Sequence, residues 1–489
     1  VTTTASWTSI GPGLVARAAF HYYRRAMAML TNVSVSLGLV VCMASSISAQ
    51  GRRPGVTPTP AELSGEWQRH RLALPMSPLV THEVVARELD RLDARARNGF
   101  AGRPAGVFRR EAIGQSVEGR PIWHVTIGSG PMPVLLWSQM HGDEATATSA
   151  LLDLMAYIDQ TDPGGDHRWL DRLTLHIVPM LNPDGAERFQ RRNAQGIDIN
   201  RDAARVQTPE AQALMALRDR LSPVVGFNLH NQNWRTSVGR PPQPAAISLL
   251  SVAYDEARTE NDGRRLTKRL GAVVRDALEP FAAGRIGRYD DEFEPRAFGD
   301  LVTRAGTPVL LIETGPWPGP DEQADRDLVR LNFVALATAL EALASGSVAQ
   351  ADPTRYERLP ENEQRLMHTI IRNARVVVDA GVAPFVGDIG VVTSRRVVDQ
   401  GGTRTLVTQG RVEDLGDLSV YGALVEVDAR GRTVTPIFDP AAVPGARVVI
   451  PRGRPTRTPI ALGAPAAFWV LEPQAEPDSY RLVEVLTIK

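Results

Sequence analysis

Between residues 61 and 346, apolar runs of strand length alternate with helical patterns, and this alternation constrains the fold most strongly. "PIWHVTIG" (121–128), "MPVLLWSQM" (132–140), "LTLHIVPML" (173–181), "PVVGFNLH" (223–230) and "TPVLLIETG" (307–315) are strand-like. Each is bounded by Gly, Pro, Asn or Asp, and most are apolar throughout rather than alternating. Such runs suit central strands covered on both faces. Helical patterns such as "EATATSALLDLMAYI" (144–158), "TPEAQALMALRDRL" (208–221) and "DGRRLTKRLGAVVRDAL" (262–278) lie between them. The expectation is an α/β domain over residues 63–345, with a mixed, mostly parallel central sheet and helices on both faces.

Beyond it, residues 346–373 are charged and read as a helical connector. Residues 374–489 offer short β-rich runs broken by Gly and Pro, which predicts an all-β C-terminal domain, sandwich-like or a small barrel. Residues 50–62, opening "QGRRPGVTPTP", read as an exposed linker, and residues 61–102 as a candidate pro-segment. Residues 1–49 are set apart from the fold. A basic segment at Arg24 and Arg25, an apolar run and small residues up to Ala49 predict a secretory signal cleaved before Gln50. The expected start is Met27 or Met29, or the gene model is extended, and the alternative is an N-terminal extension with a signal anchor. The mature chain is then expected to be secreted or periplasmic. The apolar run is too short and serine-rich to be read as a membrane span.

Cys42, the only cysteine, lies in that run, so a zinc site in the mature chain must use nitrogen and oxygen donors. A formal net charge of zero and a pI near 7.3 point to neither nucleic acid nor an anionic membrane as partner.

In an open α/β sheet, ligands collect beyond the carboxyl ends of the strands. His141 and Glu144 lie just past "MPVLLWSQM", His230 ends "PVVGFNLH", and Glu313 lies near the end of "TPVLLIETG". The His-x-x-Glu pair by itself could be the polar start of a helix. With His230 it makes two imidazoles and a carboxylate, a catalytic zinc set with the fourth position left for water. Glu313 is the candidate base, because a buried strand ending in Glu-Thr-Gly has little structural use for that charge.

Between these landmarks runs "LNPDGAERFQRRNAQGIDINRD" (181–202). The order His-x-x-Glu, Asn-Pro-Asp-Gly, Arg-x-Asn, Gly-x-Asp-x-Asn-Arg, His, Glu resembles the carboxypeptidase A-type zinc metallopeptidases, over residues 108–344. The resemblance implies one Zn2+ held by His141, Glu144 and His230, and Glu313 as general base and later acid. It implies Arg191 at the developing oxyanion, with Arg192 as the alternative, and Asn200 and Arg201 on the carboxylate of a peptide substrate. It further implies Asp198 as the hydrogen-bond partner of the first histidine, and Tyr289 as a substrate-contacting tyrosine. Gly299, flanked by Phe298, falls at the position that selects the terminal side chain, and Arg296 reads as a structural ion pair or a reader of acidic groups.

The sequence departs from the digestive enzymes in "HNQNW" after His230, which points to a bacterial secreted branch. The compact spacing from Glu144 to His230 keeps an N-acyl amino acid deacylase of the desuccinylase and aspartoacylase type as the runner-up. A peptidoglycan stem-peptide carboxypeptidase and an inactive binding protein are the further alternatives.

Overall fold

A computed structural model describes residues 58–488, apart from 75–78, 104, 162–168, 380, 452–458 and 477. The expected signal peptide lies outside the described residues, as does most of the linker.

The central strands are β1 (Phe108–Gln115), β2 (Pro121–Gly128), β3 (Met132–Ser138), β4 (Leu173–Val178) and β5 (Val225–Asn231). After a small ribbon, β6 (Ser237–Val238) with β7 (Gln243–Pro244), come β8 (Ile247–Ser251), β9 (Ile286–Arg288) and β10 (Val309–Thr314). They form one sheet in the order β1-β2-β4-β3-β5-β10-β8-β9. The interior pairs β4/β3, β3/β5 and β5/β10 are parallel, while β1/β2, β2/β4 and β10/β8 are antiparallel. The sheet is therefore mixed, with parallel pairs at the centre and a further parallel pair, β8/β9, at one edge.

The uniformly apolar runs have a direct cause. Val134 and Leu136 of β3 enter one hydrophobic cluster, while Leu135 and Trp137 enter another on the opposite face. In β10, Leu310 and Ile312 face the first cluster, and Val309 and Leu311 the second. Helices Thr146–Gln160, Asp262–Ala282 and Asp321–Ser345 cover one face, and Pro209–Leu221 and Phe298–Arg304 the other. Asp321–Ser345 is long and apolar enough to cross a membrane, but it serves as a core helix here, with 78% of its most apolar window buried.

The segment read as a candidate pro-segment is part of this core. Leu63 and Trp67 of helix Pro60–His70, and Val85, Leu89 and Leu92 of helix His82–Ala96, are buried in the first cluster. Asp153 anchors it, accepting from Trp67 Nε1 at 2.7 Å and Leu72 N at 2.8 Å. Burial outweighs both hydrogen bonds and pushes this carboxyl up to about 7. A raised folded-state value means the contribution to stability is complete at acid pH and is lost as pH rises through about 7. Thermal melts of wild type and Asp153→Asn should therefore diverge progressively against the wild type between acid and neutral pH. A pH-independent difference would contradict this.

The expected connector 346–373 is corrected in its second half. Only Ser347–Gln350 and Thr354–Glu357 are helical, and strand β11 (Leu366–Val376) begins inside the segment. Leu366, Met367, Thr369, Ile370 and Ile371 are all buried, and β11 pairs on both sides. A run buried on both faces carries no period to separate strand from helix.

The C-terminal region continues with β12 (Phe385–Gln400), β13 (Thr403–Gly416), β14 (Gly422–Asp428), β15 (Thr433–Thr435), β16 (Arg447–Val449), β17 (Ala467–Pro473) and β18 (Ser479–Thr487). Their sheet runs β13-β12-β11-β15-β17-β18-β16, with β14 also on β11. It curls back on itself: Gly410, midway along β13, donates to Ile488 O at 3.1 Å and accepts from Ala466 N at 3.0 Å. Ile389, Val391, Val412, Phe468 and Val470 fill the resulting half-barrel.

Candidate metal centre

The centre forms where β3, β5 and β10 end. In the parallel β5/β10 pair, Glu313 is in register with His230, so both side chains leave the sheet on the same face. His141 and Glu144 come from the loop after β3. That loop starts at Gln139, held at φ 50, whose side chain donates to Gly142 O at 2.9 Å and accepts from Thr148 Oγ1 at 2.9 Å.

The same loop is pressed against Asn-Pro-Asp-Gly. Asn182 caps the helix Pro183–Arg188 by accepting from Gly185 N, and its amide donates to Met140 O at 3.2 Å. A Cβ on Gly142 would stand 2.0 Å from the Gly185 carbonyl carbon, so only glycine allows this approach. Asp184 anchors the turn, accepting from Ser116 Oγ at 2.7 Å and Glu118 N at 3.0 Å.

Three side chains meet. Glu144 Oε1 lies 2.8 Å from His141 Nδ1, and Glu144 Oε2 lies 2.7 Å from His230 Nδ1. The two Nδ1 atoms are only 3.2 Å apart. All three residues are buried, and one donor atom from each fits within 4.8 Å. Two imidazole nitrogens facing each other across one carboxylate is the arrangement a cation organises, and N, N and O donors suit zinc. The charges agree. Burial would lower the His141 value, but the Glu144 charge and the Asp198 hydrogen bond raise it to about 9. Burial opposes ionisation of Glu144, yet the His141 and His230 charges hold it below the usual carboxylate range. The residues present fit a divalent metal.

Around them, Asp198 Oδ1 lies 3.1 Å from His141 Nε2, and Asp198 Oδ2 accepts from Arg191 Nε at 2.9 Å. Arg191 Nη1 is 3.4 Å from Glu144 Oε1. Arg192 points away, donating to Gly196 O at 3.1 Å. Arg201 is partly exposed, with Nη1 donating to Asn200 O at 2.7 Å and Nε 3.4 Å from Glu294. Asn200 Oδ1 accepts from Phe298 N at 2.9 Å, which ties this pair to the loop holding Gly299. Arg296 pairs with Glu294 at 3.0 Å.

Glu313 is buried, and its Oε2 has no hydrogen-bond partner. Burial, then the Glu144 charge, pushes it up to about 8. Tyr289 is half-buried just after β9, its hydroxyl pushed up to about 12 by burial and then by the Glu313 charge, which places the two in one neighbourhood.

Several participants escaped the sequence reading. Asn231 N donates to Glu144 Oε2 at 3.1 Å, and Glu294 is the ion-pair partner of Arg201. Asn228, two residues before His230, is buried with neither amide atom partnered, 3.4 Å from where a Cβ on Gly299 would stand. Its position i−2 to a ligand on the same strand was the available signal.

Residues 98–238 match the zinc carboxypeptidase family model. Carboxypeptidase SOL1 of Arabidopsis thaliana is 32% identical over 145 residues, covering 26% of this chain and 29% of that protein. Carboxypeptidase M of Mus musculus is 32% identical over 152 residues, covering 26% and 34%. The chain thus spans about a third or less of the length of these relatives. Among solved structures, the metallo-carboxypeptidase of Pseudomonas aeruginosa in complex with (2-guanidinoethylmercapto)succinic acid is 19% identical, with a TM-score of 0.42 over 53% of this chain and 68% of that one. Carboxypeptidase A of Helicoverpa armigera gives 15%, 0.44, 59% and 81%. The matched segment carries His141, Glu144, Asp198 and His230, and through it the chain is similar to a zinc carboxypeptidase domain.

Proposed function

We propose that the chain is a zinc-dependent metallocarboxypeptidase that removes residues from the C-terminal end of peptides. The observation that carries this reading is the convergence of His141, Glu144 and His230 beside a buried, unpartnered Glu313. His141, Glu144 and His230 would hold the zinc, which supplies Lewis acidity toward the scissile carbonyl and toward water. Glu313 takes the proton of the attacking water and returns it to the leaving amine. Its value of about 8 lets it exchange protons near neutrality. Arg191, aimed at the same space as Glu144, stabilises negative charge as it develops on the carbonyl oxygen. Arg201 and Asn200 hold the substrate's terminal carboxylate, for which the planar guanidinium is suited. Tyr289 closes the site beside Glu313, and Gly299 leaves room for the terminal side chain above the Asn228 amide.

Asp198 orients His141 through its Nε2 and steadies Arg191 through its other oxygen. Asp198→Ala should weaken zinc affinity or activity by about 10- to 100-fold. Unchanged zinc affinity together with unchanged activity would remove that role. The pattern of residues 24–49 supports export to a secreted or periplasmic location.

The test is a mixed peptide library and a panel of N-acyl amino acids, each incubated with the zinc-loaded chain and read by mass spectrometry. Ladders shortened from the C-terminus are expected. Intact peptides with deacylated amino acids would establish the deacylase instead.

A further inference from the structure

A cavity of about 520 Å³ opens beside the centre, within the range that encloses small organic ligands. Glu144 and Arg191 line one end of it, and its lining does not include Asn200, Arg201 or Tyr289. On the carboxypeptidase reading, the terminal carboxylate sits on the Arg201 side and the scissile carbonyl at the centre. The rest of the peptide must then leave the centre away from Arg201, and this cavity, which touches Glu144 and Arg191 but not Arg201, offers it a path.

The far wall of the cavity comes from the C-terminal half-barrel: His368 of β11, Thr393, Ser394 and Arg395 of β12, and Leu424 of β14. This wall is built in. Arg395, whose side chain is 9% exposed, lies 3.1 Å from Asp325 and 3.3 Å from Asp321, both on helix Asp321–Ser345. Its guanidinium stacks 4.7 Å from the ring centre of Trp234, four residues after His230. Further along the hairpin, Arg404 pairs with Glu187 at 2.8 Å, just ahead of Phe189 and Arg191. Ion pairs thus tie the β12–β13 hairpin to the rest of the fold in the middle of β12 and next to the hairpin tip.

We infer that the β12–β13 hairpin forms one wall of the subsite for the residues upstream of the scissile bond, making the half-barrel part of the substrate-binding apparatus. This rests on the carboxypeptidase reading. Thr393, Ser394 and Trp234 all line the cavity, a polar and aromatic lining suited to an extended, flexible peptide. A tail held in a compact fold could not enter it.

The probes are Ser394→Trp and Thr393→Trp, which fill the cavity from strand positions. Arg395 is left alone, because breaking a buried pair costs about 3–5 kcal/mol and could unfold the join. The substrates are an N-blocked dipeptide and a hexapeptide ending in the same two residues. The ratio of kcat/KM for hexapeptide over dipeptide should fall about tenfold or more in both variants, mainly through KM. A ratio within about twofold of wild type overturns the inference. If the wild-type chain shortens neither substrate, the carboxypeptidase reading has failed, and calorimetric titration of the hexapeptide decides the wall separately. Binding weakened about tenfold in both variants supports it; equal binding, or none to the wild type, overturns it.

Discussion

Glu313→Gln should lower turnover by about 10²- to 10⁴-fold, the usual contribution of a positioned acid–base group, while zinc stays bound. Glutamine keeps the volume and removes only the ability to accept a proton. Glu313 is not in the His141–Glu144–His230 cluster, so the metal should be indifferent to the change. The variant should also melt no lower than wild type. The buried carboxyl has no hydrogen-bond partner to lose at Oε2, and an amide of the same volume adds no charge in its place. Parallel measurements of kcat, zinc content and melting temperature check all three. Retained turnover, or loss of zinc, would end the assignment of Glu313 as base.

Arg201→Ala should lower kcat/KM on free-acid peptides by about thirty- to several-thousand-fold, since losing one partner of a desolvated charge pair costs about 2–5 kcal/mol. Before substrate arrives, Arg201 is held by Glu294 at 3.4 Å in a partly exposed pair. Such a pair is worth about 1 kcal/mol or less, so a bidentate substrate carboxylate can displace it. Arg201→Lys should recover only part of the loss, because the ammonium keeps the charge without the planar fork. Carboxyl-amidated peptides, already poor substrates, should lose little in either variant. An equal loss on acid and amide would mean that Arg201 supports the fold rather than the substrate.

Much of this was legible in the sequence because the chemistry sits where chain and sheet coincide. β3, β5 and β10 are apolar on both faces, so their ends stood out, and His141, Glu144, His230 and Glu313 lie at those ends. Asp198 and Arg191 were legible through motif spacing, and they meet at 2.9 Å. What stayed hidden depends on contacts between distant parts of the chain. Asp153 holding Trp67 turns a segment with its own helical pattern into part of the core, and no local signal marks that. β11 was misread because burial on both faces erases the period that distinguishes strand from helix. The pairing of Arg395 with Asp325 joins residues 70 positions apart, and only the fold brings them to one cavity.

The most direct test of the account is a zinc titration of metal-free chain, with C-terminal shortening of one peptide followed by mass spectrometry at each step. Activity should rise linearly and level off at about one zinc per chain, and His230→Ala should stay inactive across the same range. Full activity without metal, or zinc-restored activity in His230→Ala, would contradict the assignment of His141, Glu144 and His230 as the centre that drives the reaction.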